Sequence, residues 1–218
     1  MKHYAGTAFI ATCAVALLLP SVLASDDIRS SAEKKETMKN QCKVIADRLD
    51  AFPSSRDVDA FTQIGKDIDS LTATAATHTT EGKEQRRAKL ELWLKAIDKV
   101  DKMIDPQFDP HDTPQINVAP PIAAGLRAGV APNEIKDPKV RQEYENAIRL
   151  NAEKAERYHV QSKLLDCDKT WTEKVNVYMK TQYSSNAEDV AEIKALIDGN
   201  VANKVRRQRL EKQSDDLR

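Results

Sequence analysis

From Met38 onward the chain repeats apolar residues at a helical interval. Met38, Cys42, Ile45, Leu49 and Phe52 fall four, three, four and three apart. Positions so spaced share one face at 3.6 residues per turn, which predicts an amphipathic helix. Pro53, followed by Ser54 and Ser55, predicts its end and the cap of a second helix, whose seam is Val58, Phe61, Ile64, Ile68 and Leu71. The Thr- and Ala-rich run 72–82 reads as a loop or frayed end, because β-branched threonine loses rotamer freedom in a helix. A third helix is predicted from about Glu84 to Ile104, with Leu90, Trp93, Ile97, Val100 and Ile104 on its seam and Leu94 widening it. Asp105-Pro106 stops it, since the residue before proline avoids helical geometry.

Residues 106–137 break this pattern. Prolines stand at 106, 110, 114, 120, 121 and 132, with Gly125 and Gly129 among them, and charges are scarce from Gln115 to Ala131. Yet Ile116, Val118, Ile122, Leu126 and Val130 recur through the stretch, where a flexible linker would be rich in Ser, Gly or charge. A structureless insert of this length is uncommon in a compact domain. Two readings follow. In the preferred one the five apolar residues strap along the helices and bury their own side chains. In the other they are displayed in extended form and form the site of a protein partner.

Helical order resumes at Asp137-Pro138, a capping residue followed by a proline where no amide hydrogen is needed. A fourth helix is predicted to about Asp166, burying Val140, Tyr144, Ala147, Ile148, Ala155, Tyr158 and Leu165, with polar Asn151 interrupting the face. Trp171, Val175, Tyr178 and Gln182 mark a fifth helix. Ser185 and Glu188 form a capping box for a sixth, with Val190, Ile193, Leu196 and Ile197 inward. Asp198-Gly199-Asn200 reads as its stop, and 201–218 as a charged tail, a solvated helix at most. No strand-like alternation and no solenoid repeat stands out. The expected fold is all-α: an antiparallel bundle of five to six helices in which 25–105 and 138–200 form one body, with the proline-rich insert 106–137 between them.

Composition agrees with helices: 31% of residues are charged, 5% aromatic, and only 6 are glycine. The first 24 residues read as a secretory signal peptide, with Lys2 and His3, an apolar run from Ala5 to Leu19, and cleavage after Ala24. That run is short for a membrane span, which takes about 20 residues. Lipidation at Cys13 is disfavoured because the strongest apolar block follows it. The mature chain is therefore expected in a bacterial periplasm or outside the cell, without stable membrane insertion. Basic and acidic residues balance at 34 each, so nothing electrostatic points to nucleic acid.

Two cysteines remain after export, Cys42 and Cys167, and the simplest reading is one disulfide. By chain entropy a bridge closing so long a loop would be worth about 5 kcal/mol. Two separate buried thiols are the alternative.

Candidate chemistry is thin. His78, His111 and His159 have no metal-ligand spacing around them. Asp109, His111 and Asp112 could face a metal but are also ordinary turn residues beside a proline. Gly125–Gly129 lacks the spacing of a phosphate loop. Glu143 with Glu153, or Asp98 with Asp101, could be named as acid and base, but nothing in the sequence signals the burial that would tune them. The basic run Lys204–Lys212 is balanced by Glu211, Asp215 and Asp216. No catalytic, metal or cofactor-binding residue is assigned, and no cofactor is expected.

One stretch resembles something known. Gly129, Pro132, Ile135, Asp137-Pro138, Arg141, Tyr144-Glu145, Ala147-Ile148, Asn151, Lys154, Tyr158 and Gln161 make residues 128–165 similar to a module of exported bacterial helical proteins of unknown function. The resemblance implies a bacterial envelope setting and a single unit of insert plus helix, and no activity. The function expected is that of a non-enzymatic exported module that binds or scaffolds an unknown protein partner. The alternatives are a periplasmic all-α hydrolase or lyase and a binder of small apolar ligands.

Overall fold

A computed structural model describes residues 37–52, 57–73, 75–76, 78–111 and 118–217. Residues 1–36, with the expected signal peptide 1–24, the expected helix stop at Pro53–Ser55 and Ile116 lie outside the described residues. Among the described residues all regular structure is helical, as expected. Helix α1 covers 37–51, α2 Val58–Ser70, α3 Thr80–Met103, α4 Pro120–Ala128, α5 Pro138–Gln182, α6 Ala187–Asn200 and α7 Lys204–Asp215, with one 3-10 turn at Pro132–Glu134.

Short polar side chains set the helix starts. Asp57 accepts from the Ala60 amide at 3.0 Å and opens α2. Thr79 accepts from the Gly82 amide at 3.0 Å, so the threonine run supplies a cap and α3 begins four residues before the expected Glu84. Asp137 caps α5 as its sequence indicates, accepting from Lys139 and Val140. Asn186, not Ser185, caps α6, accepting from the Asp189 amide at 2.7 Å.

Helix α3 is central, and its seam of Leu90, Trp93, Leu94, Ile97 and Val100 is wholly buried. Helix α5 runs antiparallel to it. Gln161 donates to the Met103 carbonyl at one end, Trp171 meets Trp93 edge-on at 5.8 Å, and Arg86 donates to the Gln182 carbonyl at the other end. Helix α2 lies along α5 in the same direction, through Asp59–Lys163, the Phe61–Trp171 ring pair at 4.9 Å and Asp69–Lys174. The first helix reverses that direction, with Phe52 on Phe61 and Arg48 on Asp67. Helix α6 runs with α3, joined by Lys83–Glu188 and by the Ala202 amide on Asp98, and α7 returns beside α6 through Lys194–Asp215 and Arg207–Asp198. Successive bundle helices are therefore antiparallel around one apolar core.

Four expectations need correction. The fourth and fifth helices are one helix of 45 residues, about 68 Å long. Its buried residues change sides: Tyr144 and Ala147 near one end, then Leu164, Cys167, Trp171, Val175 and Met179. Twenty residues at 100° each turn Leu164 roughly 200° away from Tyr144, so no single stripe runs the length of the helix. Residues 148–157, including Asn151 and Ala155, are all exposed.

Second, 201–218 is not a solvated tail. Val201, Leu210, Ser214 and Leu217 are buried, and α7 closes the core. Third, the Cys42–Cys167 bridge is not formed, and both are free thiols. Cys167 lies against α2, its Sγ 3.7 Å from Thr62 Oγ1, whereas Cys42 lies on α1, half-buried and in the field of Lys89. Fourth, the described part of the insert from Val118 to Asp137 is not extended: it forms a short helix and a 3-10 turn, and its apolar residues meet only the outer end of α5.

Candidate partner-binding site

The insert climbs α5. Beyond Met103 the Asp105 amide donates to Gln161 Oε1 at 2.8 Å, Phe108 packs edge-on against Tyr158 at 5.4 Å, and Tyr158 Oη donates to the Pro110 carbonyl. Asp109 accepts from the His111 amide at 2.8 Å, so this part of the candidate metal motif makes an Asx turn, and Asp112 lies outside the described residues.

Pro120 and Pro121 sit in the first turn of α4, where their missing amide hydrogens cost nothing. Gly129, at φ 67°, ends the helix, and Val130 donates back to the Gly125 carbonyl at 3.1 Å. Only glycine enters this left-handed region without strain. The chain then turns through Pro132–Glu134 into Asp137.

Val118, Ile122, Leu126 and Val130 are brought together here with Ile135, against Tyr144 and Ala147 of α5. Tyr144 Oη donates to the Val130 carbonyl at 2.7 Å, and Arg141 donates through Nε and Nη2 to the Ile135 carbonyl at 2.9 and 2.7 Å. Gly125 is needed where the helices touch, since a Cβ there would stand 2.9 Å from the Tyr144 ring. Of the candidate residues Ile122 is buried and Val118, Leu126 and Val130 are partly buried, against the outer end of α5, in a cluster separate from the bundle core. A large apolar side chain contributes about 1.5–3 kcal/mol when fully buried. Fixing the backbone of each residue costs about 1–2 kcal/mol. With so few side chains fully buried, this helical cap has little stability of its own.

The cap and the part of α5 beneath it stand away from the bundle as an arm. Pro138 to Arg157 spans about 30 Å. Three large apolar residues stay open on this arm: Val140 (41% exposed), Ile148 (38%) and Leu150 (44%). The first two fall on the face expected to be buried, and Leu150 lies off the expected seam. The signal was present in the sequence as a weak seam interrupted by Asn151.

Polar groups elsewhere are spent on holding helices together. Arg86 is buried, pairs with Asp189 at 2.5 Å, and lies 4.2 Å over the Tyr183 ring. Burial alone would raise the Asp189 carboxyl; the Ser184 amide and hydroxyl and Arg86 more than offset it and hold it below the usual value. Burial raises Tyr183 well above the ordinary phenol value and pushes Tyr178 up to about 12. Asp98 caps toward the Ala202 amide, and Asp101 pairs with Arg206, which also binds Asp168. Asp98 and Asp101, and Arg206 and Arg207 of the basic run, are thereby engaged within the fold.

An open groove of about 420 Å³ between α3 and α5 is lined by Lys89, Trp93, Lys174, Val177 and Tyr178. Its ammonium groups are occupied: Lys89 donates to the Asp69 and Leu71 carbonyls, and Lys174 pairs with Asp69. Among the described residues, no three of His, Cys, Asp and Glu gather as a metal site would require. No helix described is long and apolar enough to cross a membrane. No protein-family model, curated protein or solved structure matches the chain.

Proposed function

We propose that this chain is an exported, non-enzymatic helical module that binds or scaffolds another protein, and that the arm of α5 with its cap is where the partner docks. One observation carries the reading: a small apolar cluster is held about 15–20 Å beyond Arg157 along a helix while Val140, Ile148 and Leu150 remain open beside it. Apolar residues at the end of a projecting element reach a partner without the bundle having to approach it. The charged and polar side chains of the bundle, by contrast, are largely committed to their own helix contacts. Export rests on the basic start and apolar run of the first 24 residues.

Site-specific photocrosslinking in the exported full chain tests this. A photoreactive side chain at Val140 or Leu150 is expected to give one protein adduct of defined mass, competed by excess unlabelled chain. The same group at Val205, 67% exposed on α7, is expected to give none. Equal adducts from all three positions, or none from the arm, would remove the arm from the proposal. N-terminal sequencing of the secreted product is expected to begin at Ser25.

A further inference from the structure

The cap and the bundle are stabilised by different residues. Ile122, Tyr144 and Ala147 form one buried cluster, while Trp93, Trp171 and the long seams of α2, α3, α5 and α6 form the other. Between them α5 passes through residues 148–157 with every side chain exposed. A short run of helix without a buried face is only marginally stable in water, so it transmits little cooperativity from one cluster to the other. Because α5 switches its buried face, the two described clusters share no buried side chain on this stretch. Specific fits hold the cap: the Tyr144 hydroxyl on the Val130 carbonyl, the Arg141 guanidinium on the Ile135 carbonyl, and the Gly125 backbone against the Tyr144 ring.

We infer that residues 118–148 are a separately melting unit, which opens and recloses while the six-helix bundle stays folded. The arm is then an order–disorder element built into the fold. Opening frees Ile122, Leu126 and Tyr144 together, and whatever binds the closed form holds it shut. This inference stands whether or not the arm is the partner site.

Native-state hydrogen exchange on the full mature chain, followed through low urea, tests it. Cap amides in 122–128 and 140–148 are expected to exchange about tenfold or more faster than those of 164–179, with a weak urea dependence that marks a local opening. The chain has 2 tryptophans, Trp93 and Trp171, and both lie in the bundle core, so indole fluorescence reports the bundle alone. Tyr144→Phe removes the bond to Val130 and is expected to speed cap exchange by about fivefold while the tryptophan transition stays in place. Gly125→Ala, which crowds the same ring, is expected to act likewise. The inference is overturned if cap amides match 164–179 in protection and urea dependence. It is equally overturned if Tyr144→Phe moves the tryptophan transition as far as it moves cap exchange.

Discussion

Gly65 lies directly against the Trp171 indole. A Cβ placed there would stand 2.6 Å from three atoms of the Trp171 indole. Trp171 is itself wedged between Phe61 and Trp93 and cannot retreat cheaply. Gly65→Ala is therefore expected to lower stability by about 1–3 kcal/mol, the range for overpacking a filled core, read as a lower urea midpoint. Sequence alone gives Val58, Phe61, Ile64 and Ile68 as a seam but says nothing of this fit, because the indole that fills the space comes from far along the chain. The Arg86–Asp189 pair was hidden for the same reason: 103 positions separate two charges that look like surface residues. Asp189→Asn removes the nearest carboxylate from the buried guanidinium, leaving Glu192 3.8 Å away, and is expected to cost about 1–3 kcal/mol at neutral pH. Because the folded carboxyl titrates below the ordinary aspartate value of about 3.9, its contribution is complete above that value and lost as pH falls through the lower folded value. The gap between wild type and the Asn variant should then close below about pH 4. The two thiols behave in the opposite sense. Burial raises both Cys42, against the pull of nearby Lys89, and Cys167, against its bond from Thr62, so the reactive thiolate is scarce at neutral pH. Alkylation of the native mature chain is expected to be slow at pH 8 and to accelerate only above pH 9, with both sites reacting readily once unfolded. A chain that offers no thiols to alkylate after unfolding would restore the disulfide.

At the level of elements, periodicity found the seams of α1 and α2 almost residue for residue, because each buries one face throughout; it found the main seam of α3 but not Leu92, Ala96 and Asp98, which this central helix also buries. It failed where that condition fails. Helix α5 buries opposite faces at its two ends, so a reader following one stripe loses it near Asn151 and starts another helix at Trp171. Helix α7 hides in the opposite way: Val205, Leu210 and Leu217 are too far apart to draw a stripe, and only Leu210 and Leu217 reach the core. Leu210 is completely buried, so Leu210→Ala is expected to cost about 2–5 kcal/mol in chemical denaturation, as a core leucine does and a solvated tail would not. The insert was legible as unusual through its prolines and apolar residues, but its helix was not. Two prolines opening α4 and a left-handed Gly129 closing it are helix punctuation read there as loop chemistry.

For the whole molecule, the alternation of helix directions follows from short connections between successive bundle helices, such as Tyr183–Asn186 and Val201–Asn203. The one long connection, between α3 and α5, is where the chain leaves the bundle to build the cap. A compact chain of this size has a radius of gyration of roughly 16–17 Å. A helix of about 68 Å with its outer third in solvent pushes the value higher. Small-angle scattering of the mature chain is therefore expected to give a larger radius and a longest dimension of at least about 70 Å. A compact, near-spherical profile would mean that the arm folds back.

The exposed span of α5 also acts as an angular dial. One residue added between 148 and 157 would swing the cap about 100° around the helix axis and lift it about 1.5 Å, with neither apolar cluster disturbed. Seven added residues would restore nearly the original heading about 10 Å farther out. Provided the connection after α3 has slack, small insertions and deletions at this one place re-aim and re-space what the protein presents, without any need to redesign what holds it together.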